Sequence, residues 1–113
     1  GYIQDIYNAM EVAEEFVGRW TFEEFAADLK TQFAVIRALE LIGEAAEKVP
    51  GEVREKYPSI HWKDLEKMKE KLIHRHFGVN LKTVWSSVKE GIFEAKPDIK
   101  YILDKMLLDE VRN

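Results

Sequence analysis

From Phe22 to Val49 the chain contains no proline and, apart from Gly43, no glycine. Across that span Phe25, Leu29, Phe33, Ile36, Leu39, Ile42, Ala46 and Val49 recur at three- and four-residue intervals. Only an α-helix presents such positions on one side, so the pattern predicts one long helix with a continuous apolar stripe. Gly43 inside it costs about 1 kcal/mol relative to alanine. A close helix crossing, eased by Ala45 and Ala46 nearby, is the physical reason expected for keeping it.

The flanking segments read the same way. Tyr2 to Val17 places Ile3, Ile6, Met10, Ala13 and Val17 on one face with acidic residues between, and Gly18 ends that helix. Thr21-Phe-Glu-Glu24 has the spacing of a capping box for the long helix. Pro50-Gly51 stops the long helix, and Glu52 to Lys56 has room for a short helical turn before Tyr57-Pro58. A third long helix is expected from Trp62 to about His74, broken before or at Gly78. Asn80 suits the cap of a fourth, Leu81 to Phe93, and Pro97 the first turn of a fifth that runs through Leu107. No strand-like alternation and no internal repeat interrupts this series. The expectation is a single domain over residues 1–113, an all-α up-and-down bundle of four to five helices.

Composition sets the limits on function. The 113 residues, 46% hydrophobic and 34% charged, suit one ordinary globular core. With no cysteine there is no disulfide, thiol nucleophile or thiolate metal site. No apolar run approaches the ~20 residues of a membrane span and no signal-peptide pattern opens the chain, so a cytoplasmic location is expected.

Charge is unevenly distributed. Between Trp62 and Lys82 six Lys or Arg stand against three Asp or Glu, a local +3, which leaves −7 elsewhere to reach the total of −4. Two of the three histidines, His74 and His76, lie in the same stretch. Basic residues interleaved with titratable imidazoles suit an anionic ligand such as a phosphodiester. On an ideal helix Leu65, Met68 and Leu72 form the apolar stripe of the third helix, and Lys69 and His76 fall within about 40° of its centre. Lysine is rarely buried unless paired, so this edge is expected to face a groove or a second subunit. An apolar edge around Phe77 and Trp85 points to a second subunit as well. His74 lies about 140° from Lys69 around an ideal helix, so the two converge only through the full reach of Lys69, an unwound last turn or a dimer partner. His74-Arg75-His76 is not read as a metal site, because alternate residues on a helix point apart. Lys63, Lys67 and Lys71 read as a solvated face, and Trp62, Trp85 and Tyr57 as core anchors.

Several landmarks occur in order along the chain. They are Thr31-Gln32, Arg37-Ala-Leu-Glu-Leu-Ile-Gly-Glu-Ala-Ala46, Tyr57-Pro-Ser-Ile-His-Trp62, Leu72-Ile-His74, Phe77-Gly-Val-Asn-Leu81 and Val84-Trp85. In this set the chain resembles the HepT-like branch of the HEPN superfamily, the toxin half of HepT–MntA toxin–antitoxin pairs. That family's signature of Arg, four residues, His, one residue and Tyr maps onto Lys69, His74 and His76, and Glu70 stands where an Asn is usual. The resemblance implies a metal-independent endoribonuclease without cofactor, acting on RNA as a homodimer whose site forms where the subunits meet. It also implies an MntA-like nucleotidyltransferase antitoxin as partner. Carried over, the resemblance makes His74 the acid/base and Lys69 the phosphate contact with Arg75 assisting. His76 is a second titratable group; Lys71 and Glu44 are further candidates for substrate contact. The alternative is a catalytically weakened HEPN dimer that serves as a protein- or RNA-binding module.

Overall fold

The computed structural model describes residues 1–73 and 80–112, without the side chains of residues 70–73. Helix α1 (Tyr2–Val17) buries Ile3, Ile6, Ala9, Met10, Ala13 and Val17, and Gly18 ends it at φ +49°, where a side chain would be strained. Helix α2 (Phe22–Ala26) begins with the expected capping box. The Glu24 amide donates to Thr21 Oγ1 at 3.2 Å and the Thr21 amide to Glu24 Oε1 at 2.9 Å.

The long helix expected from Phe22 to Val49 is in fact two, α2 and α3 (Leu29–Glu47). Asp28 caps α3 by accepting the Thr31 amide at 3.0 Å. Aspartate bonds nearby amides better at a helix start than within a helix, and here that preference breaks the rod. Gln32, the one buried polar side chain among the described residues, donates from Nε2 to the Phe25 and Ala26 carbonyls at 3.0 Å each. The break changes the phase of the stripe. Leu29 and Phe33, expected in the core, are 63% and 64% exposed, while Gln32 and Val35 point inward with Leu39, Ile42 and Ala46.

Helix α4 (Gly51–Lys56) presses back on the end of α3 through Arg54. Its guanidinium donates to the Ala46 and Val49 carbonyls, pairs with Glu66 at 2.6 Å and lies over the Trp62 ring. One side chain thereby satisfies carbonyls at the end of α3 and ties them to α5 (Trp62–Ile73). Helix α6 (Leu81–Ser86) starts at Asn80, which accepts the Lys82 and Thr83 amides as expected. It continues through a π-helical turn, Ser87–Ile92, into α7 (Phe93–Arg112). The separate fifth helix expected to begin at Pro97 is therefore absent, and Pro97 sits inside α7. Proline removes one ladder bond, but the fully buried Ile92 and Ile99 and nearly fully buried Ile102 keep the rod packed across it.

The result is an all-α bundle, with α3 packed between α1 and α5 and α7 lying along α1. Trp85 contributes to this core rather than to a surplus edge, its ring 6.0 Å from that of Phe22 and 5.4 Å from that of Phe25. Trp62 is buried, and Tyr57 packs against Tyr101. Among the described residues no helix is long and apolar enough to cross a membrane.

Lys96 joins α7 to α1, its ammonium 2.7 Å from Glu14 and 3.7 Å from Glu11. The hydrogen bond to Glu14 raises its pKa above 10.5, against an opposing effect of burial, and the charges of Glu14 and Glu11 add to the rise. A raised pKa stabilises the fold fully below the unfolded value and loses that contribution as pH climbs through the folded one. Lys96→Met is expected to lower the urea midpoint at pH 8, and the difference from wild type is expected to shrink as pH rises beyond 10.5.

Candidate functional site

The closest helix approach at the site lies between α3 and α5. A Cβ placed on Gly43 would stand 2.7 Å from Lys69 Cβ and 2.9 Å from both Lys69 Cγ and the Lys69 amide nitrogen. Two of those atoms are stem and backbone and cannot swing away, so glycine is what the crossing requires. The expected role of Gly43 is thus met, and its counterpart is Lys69.

The apolar edge that carries Lys69 was expected to face a groove or a second subunit. Instead the stem of Lys69 lies on α3 of the same domain, and its ammonium reaches the rim, with 23% of the side chain exposed. There Nζ is 2.6 Å from Glu47 Oε1. Gly43 and Glu47 are four residues apart and share one face of α3, so the residue that admits the lysine stem also aligns its counter-ion. Glu47 was not singled out in the sequence. The available signal was its position one turn beyond a glycine that needed a crossing partner.

Glu44 is half-buried on the flank of α3 towards α1, where its carboxylate is 3.5 Å from Arg37; Arg37 also bonds Glu40 at 3.1 Å. It is therefore not brought to Lys69. His74, Arg75 and His76 lie outside the described residues, as does the side chain of Lys71. The third histidine, His61, is exposed at the opposite end of α5, where its carbonyl accepts the Asp64 and Leu65 amides.

Between α5 and the α6–π rod runs a groove of about 610 Å³ whose lining includes Lys67, Lys82, Thr83, Ser86, Asp64 and Glu90. It is bounded by the two helices that lead into and out of residues 74–79. Lys82 also lies 3.9 Å over the Phe22 ring, which holds its charge on this side of the bundle. Met68 of α5 and Gly91 of the π turn come close on its floor, where a Cβ on Gly91 would be 3.2 Å from the Met68 methyl. The described walls carry both signs of charge.

This frame of α3, α5 and the α6–π rod falls within residues 6–106, which match the family described as Ribonuclease HepT-like. The chain belongs to the HepT-like ribonuclease family. It is 45% identical to “Probable ribonuclease HepT” of Thermococcus cleftensis over 93% of this chain and 92% of that protein. It is 42% identical to “Putative RNase MJ0125” of Methanocaldococcus jannaschii, over 96% of this chain and 90% of the relative. With “Putative RNase TTE0752” of Caldanaerobacter subterraneus subsp. tengcongensis it shares 38% over 92% and 93% of the two chains. No solved structure gives a significant match.

In this HepT-like chain the position of Lys69 rests on the absence of one methyl group. Gly43→Ala gains about 1 kcal/mol of helix propensity but overpacks a rigid contact, which costs about 1–3 kcal/mol. Thermal denaturation is expected to show net destabilisation. An increase in melting temperature would mean that α3 and α5 separate without penalty.

Proposed function

We propose that this chain is a metal-independent endoribonuclease that works as a homodimer and forms the toxin half of a pair with an MntA-like nucleotidyltransferase. The observation that carries the reading is the family match across the whole frame that fixes Lys69 five residues ahead of His74. RNA supplies its own nucleophile in the 2′-hydroxyl. A neutral imidazole takes that proton, the 2′-oxygen attacks phosphorus, and an imidazolium returns a proton to the departing 5′-oxygen. The products are a 2′,3′-cyclic phosphate and a 5′-hydroxyl.

His74 serves as acid/base and His76 as the second titratable group, two imidazoles suited to sharing these roles near neutral pH. Lys69 and Arg75 hold the charge that builds on the phosphorane. Lys71 extends the basic track. Glu44, on the other flank of α3, reaches substrate only if the second subunit brings the two flanks together.

One observation favours a second reading. The Lys69 ammonium is already held by Glu47 at 2.6 Å, and a cation so matched is a weaker phosphate ligand. A chain of this kind would act as a binding module without catalysis. Incubation of the purified protein with mixed cellular RNA separates the two. The expected outcome is cleavage that persists in EDTA, leaves 2′,3′-cyclic ends and disappears in His74→Ala. Equal inertness of wild type and variant would establish the binding module instead.

Regulation follows from position 76. The resemblance implies that the antitoxin transfers AMP to the tyrosine of the signature, and here that residue is His76. A phosphoramidate on imidazole is far more labile than an ester on a phenol. The partner therefore restrains this chain by stable binding over the Lys69–His76 surface. Intact-mass spectra after incubation with a cognate nucleotidyltransferase and ATP are expected to show no lasting AMP adduct at His76. A stable adduct mapped there would overturn this.

A further inference from the structure

The groove between α5 and the α6–π rod is sorted by charge along its length. Helix α5 leads into residues 74–79 and the rod leads out of them, so the two walls run antiparallel. Met68 opposite Gly91, and Asp64 sharing a neighbouring cleft with Glu94, fit that direction. On both walls the lysine lies nearer residues 74–79 and the carboxylates lie farther away. Lys67 follows Asp64 on α5, and Lys82 precedes Glu90 and Glu94 on the rod. Among the described residues neither lysine is paired with a carboxylate; Lys82 is held over the Phe22 ring instead.

The far end, with its three carboxylates, repels a phosphate but can accept the hydrogen-bond donors of a neutral base. Ser86, Glu90 and Gly91 are brought to this lining by the π-helical turn, a distortion that often marks functional sites. The Ser86 hydroxyl donates to Glu90 Oε2 at 3.0 Å, which aims the carboxylate and leaves lone pairs on both oxygens. Beside it, Gly91 and the Met68 methyl form an apolar floor on which a flat ring can lie. Lys82 and Glu90 are eight residues apart, roughly 12 Å along the rod, a span that one nucleotide bridges with phosphate at one end and base at the other.

The carboxylate also selects the base. Guanine alone among the four RNA bases presents two adjacent donors, N1–H and N2–H, on its Watson–Crick edge, and a carboxylate accepts both in parallel. Adenine and cytosine offer one amino group beside a ring nitrogen that the carboxylate repels, and uracil one imino group between two carbonyls. In single-stranded RNA that edge is open to be read. We propose that this groove is a guanine subsite, in which Lys67 and Lys82 hold the phosphate of one unpaired nucleotide at the end beside residues 74–79 and Glu90 reads its base. This rests on the ribonuclease reading given above and deepens it, adding a preference for cleavage next to guanosine in single strands.

Fluorescence anisotropy on the full chain tests it. The probe is a short single-stranded oligouridylate with one central base varied, its 2′-hydroxyls methylated so that it cannot be cleaved. The guanine strand is expected to bind about tenfold or more tighter than the adenine strand. Glu90→Gln, an isosteric change at an exposed position, is expected to abolish that preference, and Ser86→Ala, which releases the carboxylate, to narrow it. The ratio between strands is the readout, because removing a negative charge raises the affinity of every strand alike. Lys82→Ala is expected to weaken all four strands to a similar degree. Circular dichroism confirms that the variants fold. Equal binding of the four strands, or a guanine preference that survives Glu90→Gln, would overturn the subsite, and cleavage of mixed RNA would still leave the ribonuclease reading standing. Guanine-selective binding by a protein that cleaves no RNA would overturn that reading and keep the subsite.

Discussion

The contact between Gly43 and Lys69 sets how near α3 and α5 can come, and much else depends on that distance. Because α3 is the central helix, its spacing from α5 fixes where the lysine ammonium emerges and which carboxylate meets it. The same pair of helices is clamped a little further along by Arg54, which bonds one carbonyl in the last turn of α3, another just beyond it and the Glu66 carboxylate of α5. A crossing made close by a missing methyl and held by a partly buried fork of hydrogen bonds resists sliding. Rigidity of this kind keeps the Lys69 ammonium at one place on the rim.

Local chemistry that leaves a residue-level signature was legible in the chain. The capping box at Thr21, the stop at Gly18, the cap at Asn80 and the crossing at Gly43 each depend on a residue whose alternatives are physically poor. The misreadings arose where two local rules competed. Asp28 fits the polar face of a helix from Phe22 to Val49 equally well, and only Gln32, folding back onto the Phe25 and Ala26 carbonyls, makes a break there stable. Pro97 fits the first turn of a helix, and only the buried isoleucines on either side of it keep the rod continuous. Each depends on contacts that periodicity does not encode.

The site divides along the same line. That Lys69 sits on an apolar edge follows from its angular position; that Glu47 meets it does not, since the two are on different helices. The expectation of an unburied lysine facing outwards failed for a simple reason. A long aliphatic stem can be covered while its charge remains at the rim, and a glycine opposite makes room for the stem. The apolar surplus was misplaced likewise: Trp85 is covered by Phe22 and Phe25, while the phase shift after Asp28 turns Leu29 and Phe33 outwards.

The same geometry bears on why a lysine can stand where the resembling family carries arginine. Arginine offers a planar fork whose value lies in holding two oxygens of one partner in fixed orientation. Pinned between a helix backbone and Glu47, such a fork would satisfy the carboxylate bidentately and be held there. An ammonium on a stem that lies flat over Gly43 is a point charge with three donors and free rotation at its end. Glu47, 2.6 Å away on the neighbouring helix, is the carboxylate that meets that charge at the rim.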